Sequence, residues 1–243
     1  MVSDPQEMAR SIDAMTDAGI SAIIFDWYRF DDKIDDGIMI EDALKKGFLQ
    51  ATNRCRVDFS LMWANHTYID CHPFAPGKSF HNADVWRNGE VGREAFHRIT
   101  QDAIQTYFKQ SNYWKIDGCP YFSIYALDKL ILGLGGLEKT RASLEDFRTR
   151  VKAAGFPDLH LNFVDWGWPQ LMEQFRGEPF PGDSSRKIAT IADMVEALQP
   201  DSSTMYTWVH HLWDTLQRQS ENSDSKILPK IFGPLMGGDV RRQ

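Results

Sequence analysis

Two aspartates follow strand-like stretches of the sequence, at positions where side chains with a chemical role are commonly found. Asp26 comes directly after the apolar stretch 20–25, and Asp165 comes directly after the stretch 159–164. Proteins built from alternating strands and helices place ligands and catalytic groups at the carboxyl ends of their strands. Both aspartates are therefore candidate catalytic acids or nucleophiles, and the alternative for each is a buried acceptor of backbone or indole N–H groups.

Aromatic and polar side chains follow the same strand ends and several others. The stretch 57–68, VDFSLMWANHTY, changes from apolar residues to indole, amide, imidazole and phenol groups with no turn residue between them. The candidate ligand-binding residues at such strand ends are Trp27, Tyr28, Trp63, Asn65, His66, Tyr125, Trp166, Trp208 and His210. The Asn, His and Tyr side chains suit hydroxyl recognition or proton transfer, with a structural hydrogen bond as the alternative. Tryptophan is also a common core residue, so only some of the indoles are expected to line a cleft.

The strand-like stretches alternate with helical patterns along the chain. Strands are predicted to begin near residues 20, 58, 120, 159 and 205, and helices are predicted over 5–18, about 39–50, about 90–108, 143–154 and 187–198. This alternation specifies a parallel sheet with helices outside it. The size of the repeating units favours a (β/α)8 TIM-barrel type over a doubly wound sheet, in one domain spanning residues 1–243. Because five or six strands are fewer than eight, the barrel is predicted to be incomplete.

Two segments of unusual composition interrupt this pattern. The segment 69–89 is rich in Pro, Gly and Asn and has no sustained period, and loops of this length in compact domains tend to be binding loops or lids. The segment 130–136, LILGLGG, lacks the spacing of a dinucleotide-binding loop and follows the loop-like pair Asp128-Lys129. The sequence therefore predicts no cofactor.

Composition and charge exclude several classes of partner. The formal net charge is −7 and no run of Lys or Arg is present, which argues against nucleic acids and anionic membranes. The apolar runs are far shorter than the roughly 20 residues of a membrane helix. The first ten residues lack the apolar core of a secretory signal, which predicts a cytoplasmic protein unless a longer N-terminus carries an export signal.

Cys55, Cys71 and Cys119 provide neither a disulfide framework nor a CxxC pair. The oligomeric state is not indicated.

The order of three strand motifs resembles a known family. The motifs are ISAIIFDWY, FSLMWANHTY and YFKQSNYWKIDGCPYFSIY, with Ala18-Gly19-Ile20, Trp63-Ala64-Asn65 and Gly118-Cys119-Pro120 at the family's characteristic turns and strand ends. In this order and spacing they resemble the glycoside hydrolase family 99-like domain, also known as the WbsX-like glycosyltransferase domain. The resemblance extends from about residue 4 to residue 211.

This resemblance implies a TIM barrel that hydrolyses glycosidic bonds of mannose-type or related glycans through a pair of acidic residues. Asp26 and Asp165 are the candidates for that pair in this chain, and Trp27, Trp63, Trp166 and Trp208 suit stacking on sugar rings. An oligosaccharide or polysaccharide is the implied ligand.

The sequence also departs from the family pattern. Family members begin with a strand before the first helix and carry a Trp-Asn-Glu-Trp-type acidic segment near the C-terminus, which has no counterpart here after Trp213. A Gly-Trp-Asp motif often precedes that segment, and the nearest equivalent here is Gly237-Gly238-Asp239, without the Trp. The resemblance thus implies a chain truncated at both ends, and a non-catalytic glycan-binding or remnant protein is one alternative. A metal-dependent barrel hydrolase is another, in which His210, His211, Asp26 and His66 would bind the metal, although no His-x-His motif lies on an early strand.

Overall fold

The computed structural model describes residues 3–32, 34–70, 83–165 and 168–206. The strands are β1 (Ala22–Arg29), β2 (Ile38–Met39), β3 (Asp58–Trp63), β4 (Tyr68–Ile69), β5 (Val85–Arg87), β6 (Lys115–Ile116), β7 (Cys119–Ile124), β8 (His160–Asp165), β9 (Pro179–Phe180), β10 (Asp183–Lys187) and β11 (Ser202–Met205). The α-helices are α1 (Pro5–Asp17), α2 (Arg93–Asp102), α3 (Leu127–Leu134), α4 (Leu137–Ala153), α5 (Trp168–Phe175) and α6 (Ile191–Leu198). Shorter π and 3-10 turns include Ala43–Gly47, Phe48–Gln50 and Ala103–Phe108. None of the helices in the described ranges has the length and apolar content needed to cross a membrane.

The fold is mixed α/β with a mostly parallel central sheet. The strand order is β11-β8-β7-β3-β1-β2, and the neighbours β1, β3, β7 and β8 pair in parallel while β2 pairs antiparallel with the end of β1. The prediction of a parallel sheet with alternating helices is therefore confirmed. Within the described residues the sheet does not close into a barrel.

The chain divides into two compact units, Met1–Thr204 and Met205–Gln243. The structure describes only the first two residues of the second unit. The prediction of a single domain over residues 1–243 stays a prediction. The predicted strand after residue 205 falls largely outside the described residues, and β11 lies just before it.

The two faces of the sheet differ in chemistry. The helix-facing face carries large apolar side chains that belong to the hydrophobic core, namely Trp27, Phe59, Leu61, Trp63, Phe122, Ile124, Leu161 and Phe163. The opposite face, here called the polar face, carries Asp26, Tyr28, Ser60, Ser123 and Asn162. Since strand residues alternate between faces, any residue of β1, β3, β7 or β8 is assigned to one face by its register.

The predicted first helix is confirmed, and its start follows from its capping residue. Asp4 accepts hydrogen bonds from the backbone N–H groups of Gln6 and Glu7, and Pro5 occupies the first turn. Met8 and Ile12 bury the apolar side of the helix in the core.

The predicted second helix, about 39–50, is wrong at its beginning. Met39 lies in β2, and Ile40 adopts a left-handed backbone conformation with φ of 53°, which no helix can continue. Helical structure starts only at Ala43.

Three other predicted boundaries are also wrong. Asp128 and Lys129 lie inside α3 rather than in a loop, and α4 begins at Leu137 rather than Ser143 because Gly135 and Gly136 separate the two helices with positive φ angles. Lys187 belongs to β10, and α6 begins later because Thr190 and Asp193 form a reciprocal capping box.

Candidate functional site

The carboxyl ends of three parallel strands bring aromatic rings together at one edge of the sheet. His66, just after β3, contacts Tyr28 of β1 edge-to-face at 5.8 Å and Tyr125, just after β7, at 5.7 Å between ring centroids. Tyr68 stacks on His66 at 6.2 Å with an interplanar angle of 29°. The structure therefore brings together three of the predicted residues, Tyr28, His66 and Tyr125.

A further ring extends this group toward solvent. The indole of Trp86 on β5 lies 6.0 Å from the ring of Tyr68, and 58% of its surface is exposed. We call Tyr28, His66, Tyr68, Tyr125 and Trp86 the aromatic cluster. Trp86 is not among the predicted site residues. The sequence feature that could have identified it is its position inside the predicted binding loop 69–89. The part of that loop from residue 71 to 82 lies outside the described residues.

Backbone contacts hold His66 in one orientation. Its Nδ1 lies 3.1 Å from the carbonyl oxygen of Thr67, to which Nδ1–H donates, so that in the neutral imidazole Nε2 is the acceptor. The backbone of Gly89 packs against the same turn, where a Cβ atom would lie 2.3 Å from the carbonyl oxygen of Asn65. The N–H of Gly89 donates to the hydroxyl of Thr67 at 3.2 Å. Only glycine fits at this approach, which fixes the turn that carries His66.

A cleft of about 420 Å³ adjoins the aromatic cluster. The residues that line it are Ile24, Phe25, Asp26, Trp27, Tyr28, Ile40, Glu41, Ala43 and Leu44. Tyr28 belongs to both the cleft and the cluster, and Asp26 lies two residues before it on the polar face. Partial burial raises the pKa of the Asp26 carboxyl above its ordinary value, and the positive charge that His66 carries when protonated opposes that rise. Asp26 therefore keeps its proton to a higher pH than an ordinary aspartate.

Two predicted stacking residues lie elsewhere. Trp27 is 1% exposed and Trp63 is 0% exposed, and both belong to the helix-facing core. The Trp27 indole donates to Glu41 at 3.2 Å, and the Trp63 indole donates to the carbonyl oxygen of Arg29 at 3.0 Å. Trp27 borders the cleft, but both rings are enclosed by the core, so the predicted stacking role does not fit them. They pack the strands against the helices.

Asn65 is also fully buried, and its side-chain amide forms hydrogen bonds through both its nitrogen and its oxygen. Its side-chain NH₂ donates to the carbonyl oxygen of Ala126 at 2.8 Å, and its oxygen accepts from the N–H of Ala126 at 2.7 Å. This pair of bonds ties the residue after β3 to the start of α3. The predicted role in ligand binding is not supported by this geometry, because the two bonds occupy both ends of the amide.

A buried ionic network, absent from the sequence prediction, braces the end of β1. The Glu41 carboxylate accepts hydrogen bonds from Arg29, Tyr107 and the Trp27 indole, and Lys45 pairs with it at 2.8 Å. Burial by itself would raise the pKa of Glu41, but these donors reverse the effect and lower it to about 2. Burial, and secondarily Glu41 itself, raise the pKa of the Tyr107 phenol.

The second predicted aspartate does not join the first. Asp165 is the last residue of β8. By alternation along the strand it lies on the same, helix-facing side as Leu161 and Phe163, whereas Asp26 lies on the polar face. Three strand spacings separate β1 from β8, roughly 14 Å along a flat sheet. A glycosidase pair stands roughly 5–10 Å apart. The described residues therefore do not bring the two carboxyl groups into one pair.

The remaining predicted residues, Trp166, Trp208 and His210, lie outside the described residues. The proposed metal ligand His211 does so too. Among the residues that the structure does describe, no group of three or more His, Cys, Asp and Glu side chains is arranged to hold a metal ion.

Comparisons with known proteins identify a family. The model of the family described as glycosyltransferase WbsX matches residues 1–178. Among solved structures, the chain is similar to the GH99 endo-alpha-mannosidase from Bacteroides thetaiotaomicron, with 12% sequence identity, 86% of this chain and 68% of that chain covered, and a TM-score of 0.29. A TM-score this low does not establish a common fold. Among curated proteins, none matches this sequence.

Proposed function

We propose that this chain, which belongs to the glycosyltransferase WbsX family, is a glycan-processing enzyme that binds a mannose-type or related oligosaccharide at the aromatic cluster. The glycosidic bond to be broken lies in the adjoining cleft beside Asp26. Family membership supports the class of ligand, and the geometry at the strand ends supports the location of the binding site.

One observation carries the proposal: three rings from three different strand ends converge beside a carboxyl group of raised pKa. The centroid of the His66 ring lies 5.8 Å from that of Tyr28 and 5.7 Å from that of Tyr125. Asp26 lies on the same strand and the same face as Tyr28. A pyranose ring presents C–H groups that pack on aromatic faces, and its hydroxyls bond to imidazole and phenol groups. The cluster offers both kinds of contact.

The chemistry follows from the two titratable groups. Asp26 donates its proton to the leaving oxygen as the glycosidic bond breaks, which suits a carboxyl group with a raised pKa. The attacking water, or the hydroxyl of an acceptor sugar, forms the new bond to the anomeric carbon and releases a proton. The acceptor nitrogen Nε2 of His66 takes up that proton. Water as the attacking group gives hydrolysis, and a sugar hydroxyl gives transfer.

The strand order supports a (β/α)8-type architecture for the whole protein. The strands β1, β3, β7, β8 and β11 follow one another across the sheet in chain order, and the short antiparallel β2 lies on the other edge of β1. A doubly wound sheet reverses direction at a switch point. A barrel wall has no such reversal, and it places its sites at the carboxyl ends of the strands.

The decisive experiment compares Asp26→Asn with the wild-type protein on α-linked manno-oligosaccharides, with new reducing ends and transfer products measured by chromatography. We expect the variant to bind the sugars and to lose at least 100-fold in turnover, since general acid catalysis contributes about 10²–10⁴-fold. Asp42→Asn is the matched control, because Asp42 pairs with Lys46 on the surface and its side chain is 64% exposed. Undiminished turnover in Asp26→Asn would remove Asp26 from the mechanism.

A non-catalytic glycan-binding protein is the second candidate. The positions of Asp26 and Asp165 on opposite faces favour it, because these two carboxyl groups then do not form the acidic pair of a glycosidase. Saturable quenching of tryptophan fluorescence by the same oligosaccharides, with no product formed by the wild-type protein, would support this candidate over the enzyme.

A further inference from the structure

The aromatic cluster continues beyond the strand ends as a row of rings. Tyr68 lies between His66 and Trp86, with ring centroids 6.2 and 6.0 Å away and interplanar angles of 29° and 30°. Each ring is thus tilted by about 30° from the next, and the most exposed of the three is the indole of Trp86. Their spacing provides neighbouring faces for more than one sugar ring.

A β-bulge presents the outermost ring to solvent. Tyr68 pairs with Arg87 and Ile69 pairs with Val85, so Trp86 is the extra residue on β5. A bulge leaves its extra residue unpaired and redirects the side chain, and bulges are common beside active sites. The bulge accounts for an indole that is 58% exposed although its two neighbours are paired.

The backbone under Trp86 is firmly held. The next residue, Arg87, is 8% exposed, forms an ion pair with Asp32, and lies with its guanidinium carbon 5.8 Å from the ring centroid of Phe30. Exposed indoles are uncommon on monomeric surfaces because they leave a large apolar area in water. An exposed indole on an anchored backbone, in line with the site, is an ordered surface for a ligand to cover.

We infer that Tyr68 and Trp86 form an outer carbohydrate subsite, so that the protein selects oligosaccharides of two or more residues over single sugars. The inference rests on the proposed function, because it extends the same site. The inner sugar ring lies against His66 and the next ring lies on Trp86, where its C–H face packs on the indole.

Binding measurements along a series of ligand lengths test this subsite. Isothermal titration with mannose, α-mannobiose, α-mannotriose and α-mannotetraose is carried out on the wild-type protein, Trp86→Ala, Trp86→Gln and Val85→Ala. We expect wild-type affinity to rise with length. Both Trp86 variants should lose roughly 3- to 10-fold for the longer sugars, the range given by one aromatic stacking contact, with the affinity for mannose unchanged.

Val85→Ala is the matched control, because Val85 is the adjacent hairpin residue, is 60% exposed and has no ring. It should bind every ligand as the wild-type protein does. Equal affinities of the wild-type protein and both Trp86 variants for the tetrasaccharide would overturn the subsite and leave the proposed function standing. Equal losses for mannose and the tetrasaccharide would also overturn it. Binding of no sugar by the wild-type protein would overturn both proposals.

Discussion

Replacement of Glu41 by glutamine tests the buried network that braces the end of β1. The change removes the negative charge from a nearly buried site and leaves Arg29, which is 4% exposed, with the more exposed Asp102 at 3.2 Å as its counter-charge. A pKa of about 2 in the folded protein, against an ordinary 4.5, corresponds to about 3 kcal/mol of stability at neutral pH. Breaking one side of a buried ion pair costs about 3–5 kcal/mol, which agrees in size. We expect Glu41→Gln to lower the free energy of unfolding by about 3 kcal/mol at pH 7.

The contribution of Glu41 to the free energy of unfolding should depend on pH in a definite direction. Because the pKa of Glu41 is lowered by folding, its contribution is fully present above about pH 4.5 and is lost as the pH falls toward about 2. The difference between the wild-type protein and Glu41→Gln in urea unfolding should therefore shrink steadily between pH 5 and pH 2. Asp42→Asn, next to it in sequence but on the surface, should change the unfolding free energy by less than about 1 kcal/mol at pH 7. A wild-type stability for Glu41→Gln at pH 7, or a difference that does not vary with pH, would refute the reasoning.

Two further outcomes are expected at the strand ends. Asn65→Ala should lower the free energy of unfolding by about 1–3 kcal/mol, because it leaves the N–H of Ala126 without its partner and removes one of the two donors to the Ala126 carbonyl oxygen, which keeps the N–H of Leu130. Urea denaturation measures this, with the exposed Asn88→Ala as control, and a loss below that of the control would contradict it. His66→Gln should raise the pKa of the Asp26 carboxyl, since the charge of His66 lowers it. NMR titration of the carboxyl carbon measures that pKa, and a downward shift would show that another group sets it.

The predicted site residues separate into two groups once the register is known. Tyr28, His66 and Tyr125 meet around one imidazole, as the shared strand ends predicted. Trp27 and Trp63 occupy the same strand ends but point into the helix-facing core. The two groups differ because neighbouring residues of a strand project to opposite faces of the sheet.

Contacts between residues far apart in the chain are not predictable from sequence patterns. Glu41 meets the hydroxyl of Tyr107, 66 positions later in the chain, and Arg87 meets Asp32 across 55 positions. Neither carboxylate stood out, since acidic residues near a helical pattern usually face solvent. Their partners are fixed by the packing of separate elements against one another.

The sequence by itself determined the strands, their polar and aromatic ends, and the family. Apolar runs and their interruptions are local properties of the chain, and the backbone pleat makes alternation obligatory wherever a strand forms. Only the tertiary structure decided which set of alternate residues in each strand faces the helices. It therefore also decided that Asp26 and Asp165 lie on opposite faces of the sheet. It also brought Trp86 to the site, because the bulge that turns this ring outward depends on pairing with β4, which no single stretch of sequence specifies.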